Sequence, residues 1–141
     1  MRVAQFLLIL SALFITGCAA NGPPFSRMEN SDPNKALIYI YRCSGASDFD
    51  RVLDVYIDEE PRGRLLYNGY LAYALDPGKR VLTVKNNVLG HLTIYPDLIE
   101  GHEYYFRWSY NSHGLVVREC RLEAIPSEIA IEEIKDTKRS D

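Results

Sequence analysis

The sequence predicts a mainly β fold, a small antiparallel β-sandwich, on three observations. Short runs rich in Val, Ile, Leu and Tyr recur at close, regular intervals from Ala36 to Leu122. Turn-forming residues separate them, among them Asn68-Gly69, Asp76-Pro77-Gly78-Lys79 and Asn111-Ser112-His113-Gly114. No long helical pattern lies between the runs, so the strands must cover one another.

Each element has its own reason. Ala36 to Cys43 is an unbroken β-branched and aromatic run whose single charge is Arg42, the pattern of a central strand covered on both faces. Val52 to Asp58 alternates, with Leu53, Val55 and Ile57 facing in and Asp54, Tyr56 and Asp58 facing out. Glu59-Glu60-Pro61-Arg62-Gly63 then supplies a turn before Arg64-Leu65-Leu66-Tyr67. Asn68-Gly69 is a two-residue hairpin signal, because both central positions of a type I′ turn take positive φ. Tyr70 to Leu75 returns from it; Val81–Lys85, His91–Tyr95, Glu103–Tyr110 and Leu115–Leu122 complete the strands. Residues 36–125 thus form the sandwich.

After Pro126 the pattern changes. Ser127 is a candidate helix cap, acids precede bases from Glu128 to Arg139, and Ala130 and Ile134 share a face. Ile129-Ala130-Ile131 also alternates with acids as an edge strand would; a short helix is preferred, with Thr137–Asp141 fraying.

The N-terminus carries an address. Arg2 precedes an apolar segment from Phe6 to Ile15, shorter than the roughly 20 residues a membrane span needs, and small residues follow it. Ile15-Thr16-Gly17-Cys18 resembles the lipobox of bacterial lipoproteins. That resemblance implies cleavage of residues 1–17 and attachment of palmitate-type acyl chains to Cys18, which would hold the chain on a membrane. Ala19 at the second mature position implies sorting to the outer membrane, facing the periplasm. Residues 18–35, with three prolines and no apolar periodicity, read as the lipidated Cys and a flexible linker of r.m.s. span roughly 22 Å.

Cleavage of 17 of the 141 residues leaves 124, enough for one domain with a real core. Loss of Arg2 leaves 15 bases against 19 acids, a formal charge of −4 that argues against nucleic acid as a partner. With Cys18 acylated, Cys43 and Cys120 remain as a possible disulfide in an oxidising compartment. A loop of about 78 residues would make such a bridge worth up to roughly 4.5 kcal/mol.

Two further resemblances cover residues 36–122. Val55-Tyr56-Ile57-Asp58, Pro61, Gly63, Leu75-Asp76-Pro77-Gly78 and Leu82-Thr83-Val84 resemble PEGA-type bacterial sandwich domains. Ala36 to Arg42, Asn68-Gly69-Tyr70, Pro77-Gly78-Lys79 and Gly101 to Arg107 are similar to a bacterial lipoprotein family known as domain of unknown function 2846. Both imply a prealbumin-like β-sandwich, and neither implies an activity.

No catalytic motif emerges. His91, His102 and His113 have no metal-ligand spacing, and Ser109 and Ser112 sit in no nucleophile elbow. Asp58-Glu59-Glu60 lacks the ligand pattern of a calcium loop. Catalytic residues, metal and cofactor are all expected to be absent. The aromatics carry the recognition candidate: Tyr67, Tyr70, Tyr73 and Trp108, with Tyr95, Tyr104, Tyr105 and Tyr110, would either present a face to a partner or pack as ordinary core and sheet-surface residues. The expectation is therefore a non-enzymatic envelope interaction or structural module, with a membrane contact through Cys18 and an envelope protein or glycan partner. A glycan- or small-ligand-binding domain is the alternative.

Overall fold

Two sheets face each other across one apolar core. The computed structural model describes residues 19–29, 32–43, 52–88, 90–113 and 117–141, with backbone alone at 111–113 and 117–118. The lipobox and Cys18 lie outside the described residues. In chain order the strands are β1 (Ala36–Arg42), β2 (Leu53–Ile57), β3 (Glu60–Leu65), β4 (Gly69–Leu75), β5 (Gly78–Lys79) and β6 (Leu82–Asn86). After these come β7 (Gly90–Ile94), β8 (Asp97–Leu98), β9 (Glu103–His113), β10 (Val117–Ile125), helix α1 (Ser127–Ile134) and β11 (Lys138–Arg139).

One sheet has the order β10-β9-β1-β4-β11 and the other β3-β2-β6-β7; β5 and β8 form a small separate pair. The mainly β, sandwich-like fold with a short C-terminal helix is thus as the sequence predicts. Ile38, Ile40, Leu71, Phe106 and Trp108 from the five-stranded sheet meet Leu53, Val55, Ile57, Leu82 and Val84 from the four-stranded one. The unbroken run of β1 is explained by its place: every one of its residues is buried, between β9 and β4 and under cover on both faces. The even-numbered residues enter the inter-sheet core, while Leu37, Tyr39 and Tyr41 face α1.

The structure corrects several expectations. Two pairings are parallel, β1 with β9 and β11 with β4, so the five-stranded sheet is mixed. Asn68-Gly69 closes no hairpin: β3 pairs with β2 and β4 with β1, so this turn carries the chain from one sheet to the other. Asn68 takes φ +51°, but Gly69 is not in the left-handed region. Gly69 answers a different need, since a Cβ there would collide with Ser140 Oγ. The type I′ geometry stands instead at Asp58-Glu59, with φ values of +53° and +68° between the paired Ile57 and Glu60. Asp58 supports this turn with its side chain, accepting hydrogen bonds from Val81 N (3.0 Å) and Arg80 Nη1 (2.9 Å).

Those bonds, Val81 first, hold the Asp58 carboxyl below its ordinary pKa. A carboxyl whose folded pKa is depressed contributes stability above its unfolded value and loses it as pH falls through the folded one. Asp58→Asn is therefore expected to reduce the loss of urea resistance between neutrality and about pH 3, below the ordinary carboxylate pKa of about 4. Urea midpoints of both proteins at the two pH values check this.

The helix is present, but Ser127 is not its side-chain cap; Ile129 N and Ala130 N donate to Pro126 O instead. Ala130 and Ile134 are buried against the sheet, as their spacing requires. The C-terminal tail does not fray. Thr137 is buried, Lys138 and Arg139 pair with Gly69 and Tyr70, and Ser140 Oγ accepts from Leu66 N. Nor are residues 19–29 a free linker. Ala20 N donates to Tyr67 O, Gly22 N to Arg139 O, Phe25 N to Thr137 O and Met28 N to the Tyr39 hydroxyl.

Cys43 and Cys120 form no disulfide. The sheet itself separates them: Cys43 packs on the helix-side cluster with Tyr41 and Ile134, and Cys120 against the inter-sheet core with Trp108 and Leu122. Thiols on opposite faces of a sheet cannot reach the Cβ separation of about 4 Å that a disulfide demands.

Candidate functional site

The outer faces of the two sheets are treated differently by the chain. The outer face of the five-stranded sheet is covered: α1 and the N-terminal segment pack Ala130, Ile134, Phe25 and Met28 on Leu37, Tyr39, Tyr70 and Tyr105. The outer face of the four-stranded sheet has no such cover among the described residues.

Strand alternation determines what that bare face displays. The register places Tyr56, Thr83 and Thr93 in one row across β2, β6 and β7, and Asp54, Lys85 and His91 in the next. Thr83 Oγ1 and Thr93 Oγ1 share a hydrogen bond of 3.0 Å. Lys85 Nζ stands 4.2 Å from the centre of the Tyr56 ring, a cation–π contact. Tyr56, Thr83, Lys85, His91 and Thr93, with Glu59, Val81 and Tyr95, line an open cleft of about 370 Å³, and Tyr95 is 75% exposed. The cleft offers hydroxyls, an imidazole, an ammonium, a carboxylate and two aromatic rings. Such a set suits hydrogen bonding and stacking to a polar ligand.

A second cleft, of about 340 Å³, lies beside α1 and is lined by Cys43, Arg107, Ser109, Arg121, Glu123 and Glu133. Its charges are largely engaged with one another. Arg107 donates through Nη1 to Glu133 (2.5 Å) and through Nη2 to Glu123 (2.9 Å), and the Tyr41 hydroxyl donates to Glu133 (2.5 Å). Burial, reinforced by Glu133, pushes the Tyr41 hydroxyl far above its ordinary pKa. Burial and Glu133 also raise the Cys43 thiol, the opposite of what a nucleophilic cysteine needs. The network ties the last turn of α1 to β1, β9 and β10. Its role is to hold the helix.

Tyr67, Tyr70, Tyr73 and Trp108 do not make a common face. Trp108 is 3% exposed between the sheets and Tyr70 is buried on the helix side. Tyr67 lies under the Arg42 guanidinium, 5.7 Å from ring centre to Cζ, and the half-buried Tyr73 donates its hydroxyl to Arg62 O. The four point to different environments because β4 alternates and β9 is internal to its sheet. Of the aromatics that the sequence named, Tyr95 is on the exposed face, and Tyr56 joins it there. The outward direction of Tyr56 was visible in the alternation of β2; the adjacency of β7 was not.

Comparison with protein-family models, curated proteins and solved structures finds no match. The site therefore stands on its own geometry.

The histidines are dispersed. His91 is in the open cleft, His102 lies in the approach to β9 with Nδ1 3.0 Å from Glu100 O, and the His113 side chain is outside the described residues. Among the described residues no group of three or more His, Cys, Asp or Glu side chains is placed to hold a metal ion.

Proposed function

We propose that this chain is a lipoprotein anchored through Cys18 on the outer membrane, facing the periplasm, and that its sandwich is a non-enzymatic interaction module. The order of motifs from residue 36 to 122 supports its kinship with the bacterial lipoprotein family that it resembles. The observation that carries the interaction reading is the asymmetry of the two outer faces. One is covered by the chain's own helix and N-terminal segment, and the other displays Tyr56, Lys85, His91 and Tyr95 in an open cleft.

A second reading, that the ligand is a glycan, is favoured by the composition of that cleft. Sugar hydroxyls match the Thr83–Thr93 pair, and sugar ring faces match the exposed Tyr95 ring. An envelope protein as partner would use the same face.

The test takes the two halves separately. Wild-type chain should sediment with membranes and Cys18→Ala should stay in the supernatant; membrane retention of the variant would reject the anchor. Binding to protein-stripped envelope glycan and to intact envelope is then measured for wild type and Tyr95→Ala. Tyr95→Ala is expected to weaken binding about tenfold, the equivalent of about 1.4 kcal/mol. A loss seen on stripped glycan supports the glycan reading, and a loss seen only on intact envelope supports a protein partner. Equal binding by both proteins would rule out this face.

A further inference from the structure

We infer that residues 19–28 act as a docked strap that fixes the orientation of the domain on its membrane. A free tether would let the domain turn. This rests on the anchoring reading: Cys18 is the acylated residue, and one peptide bond, with Cα atoms 3.8 Å apart, joins it to Ala19. Ala19 bridges to Tyr67 in parallel, and Pro24 bridges to Lys138. Arg139 N donates to Pro23 O (2.9 Å), reciprocating the bond from Gly22 N to Arg139 O (3.1 Å).

Side chains complete the strap. Phe25 meets Tyr39 and Tyr70 edge-on at centroid distances of 5.7 and 5.2 Å, and Ala20 is buried. Gly22 is required by proximity, because a Cβ there would stand 2.5 Å from Arg139 O. Backbone pairing, an inserted aromatic and a glycine at the closest approach together describe a packed element.

The position of the strap decides which end meets the lipid. Ala19 lies at the end of the sandwich where β1 finishes and β4 begins. The register brings Leu53, Leu65 and Asn86 to that same end, so the Asn87-Val88 turn is there too, with Val88 70% exposed. The opposite end carries the exposed acids Asp58, Glu59, Asp76, Asp97 and Glu100, of which Asp58 is paired with Arg80 and Asp76 with Lys35, together with the exposed Lys79 and Ile99. An end with acids in excess of bases directed away from anionic lipid, and the exposed Val88 directed towards the membrane, agree with the strap. Seven residues of β1, at about 3.3 Å each, separate the two ends by roughly 20 Å.

The experiment uses the acylated full chain in phosphatidylethanolamine–phosphatidylglycerol vesicles containing a bromolipid quencher. A fluorophore is placed on Val88→Cys or Ile99→Cys, in a Cys43→Ala, Cys120→Ala background whose fold is checked by near-UV circular dichroism. Quenching is expected at position 88 and not above background at position 99. About fifteen Gly and Ser residues inserted between Cys18 and Ala19, with an r.m.s. span of about 20 Å, leave the strap docked and should erase the difference. Gly22→Val should erase it by undocking the strap. Vesicle flotation reads the anchor independently. A chain that does not float overturns the anchoring reading and this inference with it. A chain that floats but is quenched equally at both positions, or whose asymmetry survives the insertion, overturns this inference alone.

Discussion

Trp108→Ala is expected to destabilise the domain by about 3–5 kcal/mol, the cost typical of removing a buried aromatic from a packed core. Trp108 is 3% exposed and stacks parallel to Tyr110 at 6.4 Å. Its other contact raises the stakes: the Arg42 guanidinium lies 5.1 Å from the Trp108 ring centre, and Arg42 is itself 1% exposed. Alanine removes the ring face that lies against a buried cation as well as the apolar volume. Trp108→Phe keeps a ring in place and should lose less than half as much. Urea unfolding of the three proteins separates the outcomes; equal stability of Trp108→Ala and wild type would mean that the inter-sheet core is not built around this residue.

Tyr39→Ala should cost a similar amount, about 3–5 kcal/mol, from the other side of the same sheet. The Tyr39 ring stacks on Tyr105 at 4.9 Å, meets Phe25 edge-on, and its hydroxyl accepts from Met28 N at 2.9 Å. Tyr39→Phe isolates the last contact. It should cost about 1 kcal/mol, the usual net worth of one hydrogen bond, and accelerate exchange of the Met28 amide more than amides of β1. Burial first raises the Tyr39 hydroxyl above its ordinary pKa. A hydroxyl held protonated in this way contributes no pH dependence near neutrality. If Tyr39→Phe and Tyr39→Ala were equally stable, the ring contacts would carry none of the load assigned to them.

Sequence and structure agree where the signal is local. The β1 run was legible because Leu, Ile and Tyr residues without interruption have few alternatives to an internal strand, and its complete burial follows. The alternation of Leu53, Val55 and Ile57 gave the inward face of β2, and Ala130 with Ile134 gave the buried face of α1. Asn68-Gly69 misled because its preferred dipeptide geometry is only one use for such residues. Here a crossing between sheets and the close approach of Ser140 claim the glycine. Asp58-Glu59 takes the type I′ turn with no glycine at all, held by Arg80 and Val81, which are distant in sequence.

The candidate site divides along the same line. Tyr56 facing outward is a property of one strand and could be read from it. The cleft needs three strands in register, and that depends on β6 pairing with β2 on one side and β7 on the other. Tyr70 and Trp108 are buried, the packing alternative, and aromatic character alone does not tell a side chain which layer it will enter.

What the sequence by itself determined is the mainly β class, the central strand, the terminal helix and the resemblance of Ile15 to Cys18 to a lipobox, all from residues close together in the chain. Tertiary structure alone decided that residues 19–29 and 137–140 are packed, that Cys43 and Cys120 are separated by a sheet, and which outer face is left bare. The reason is physical. Polar, proline-rich and terminal segments have no folding pattern of their own, and they become ordered only where a folded neighbour offers unpaired backbone groups and an aromatic cluster to complete.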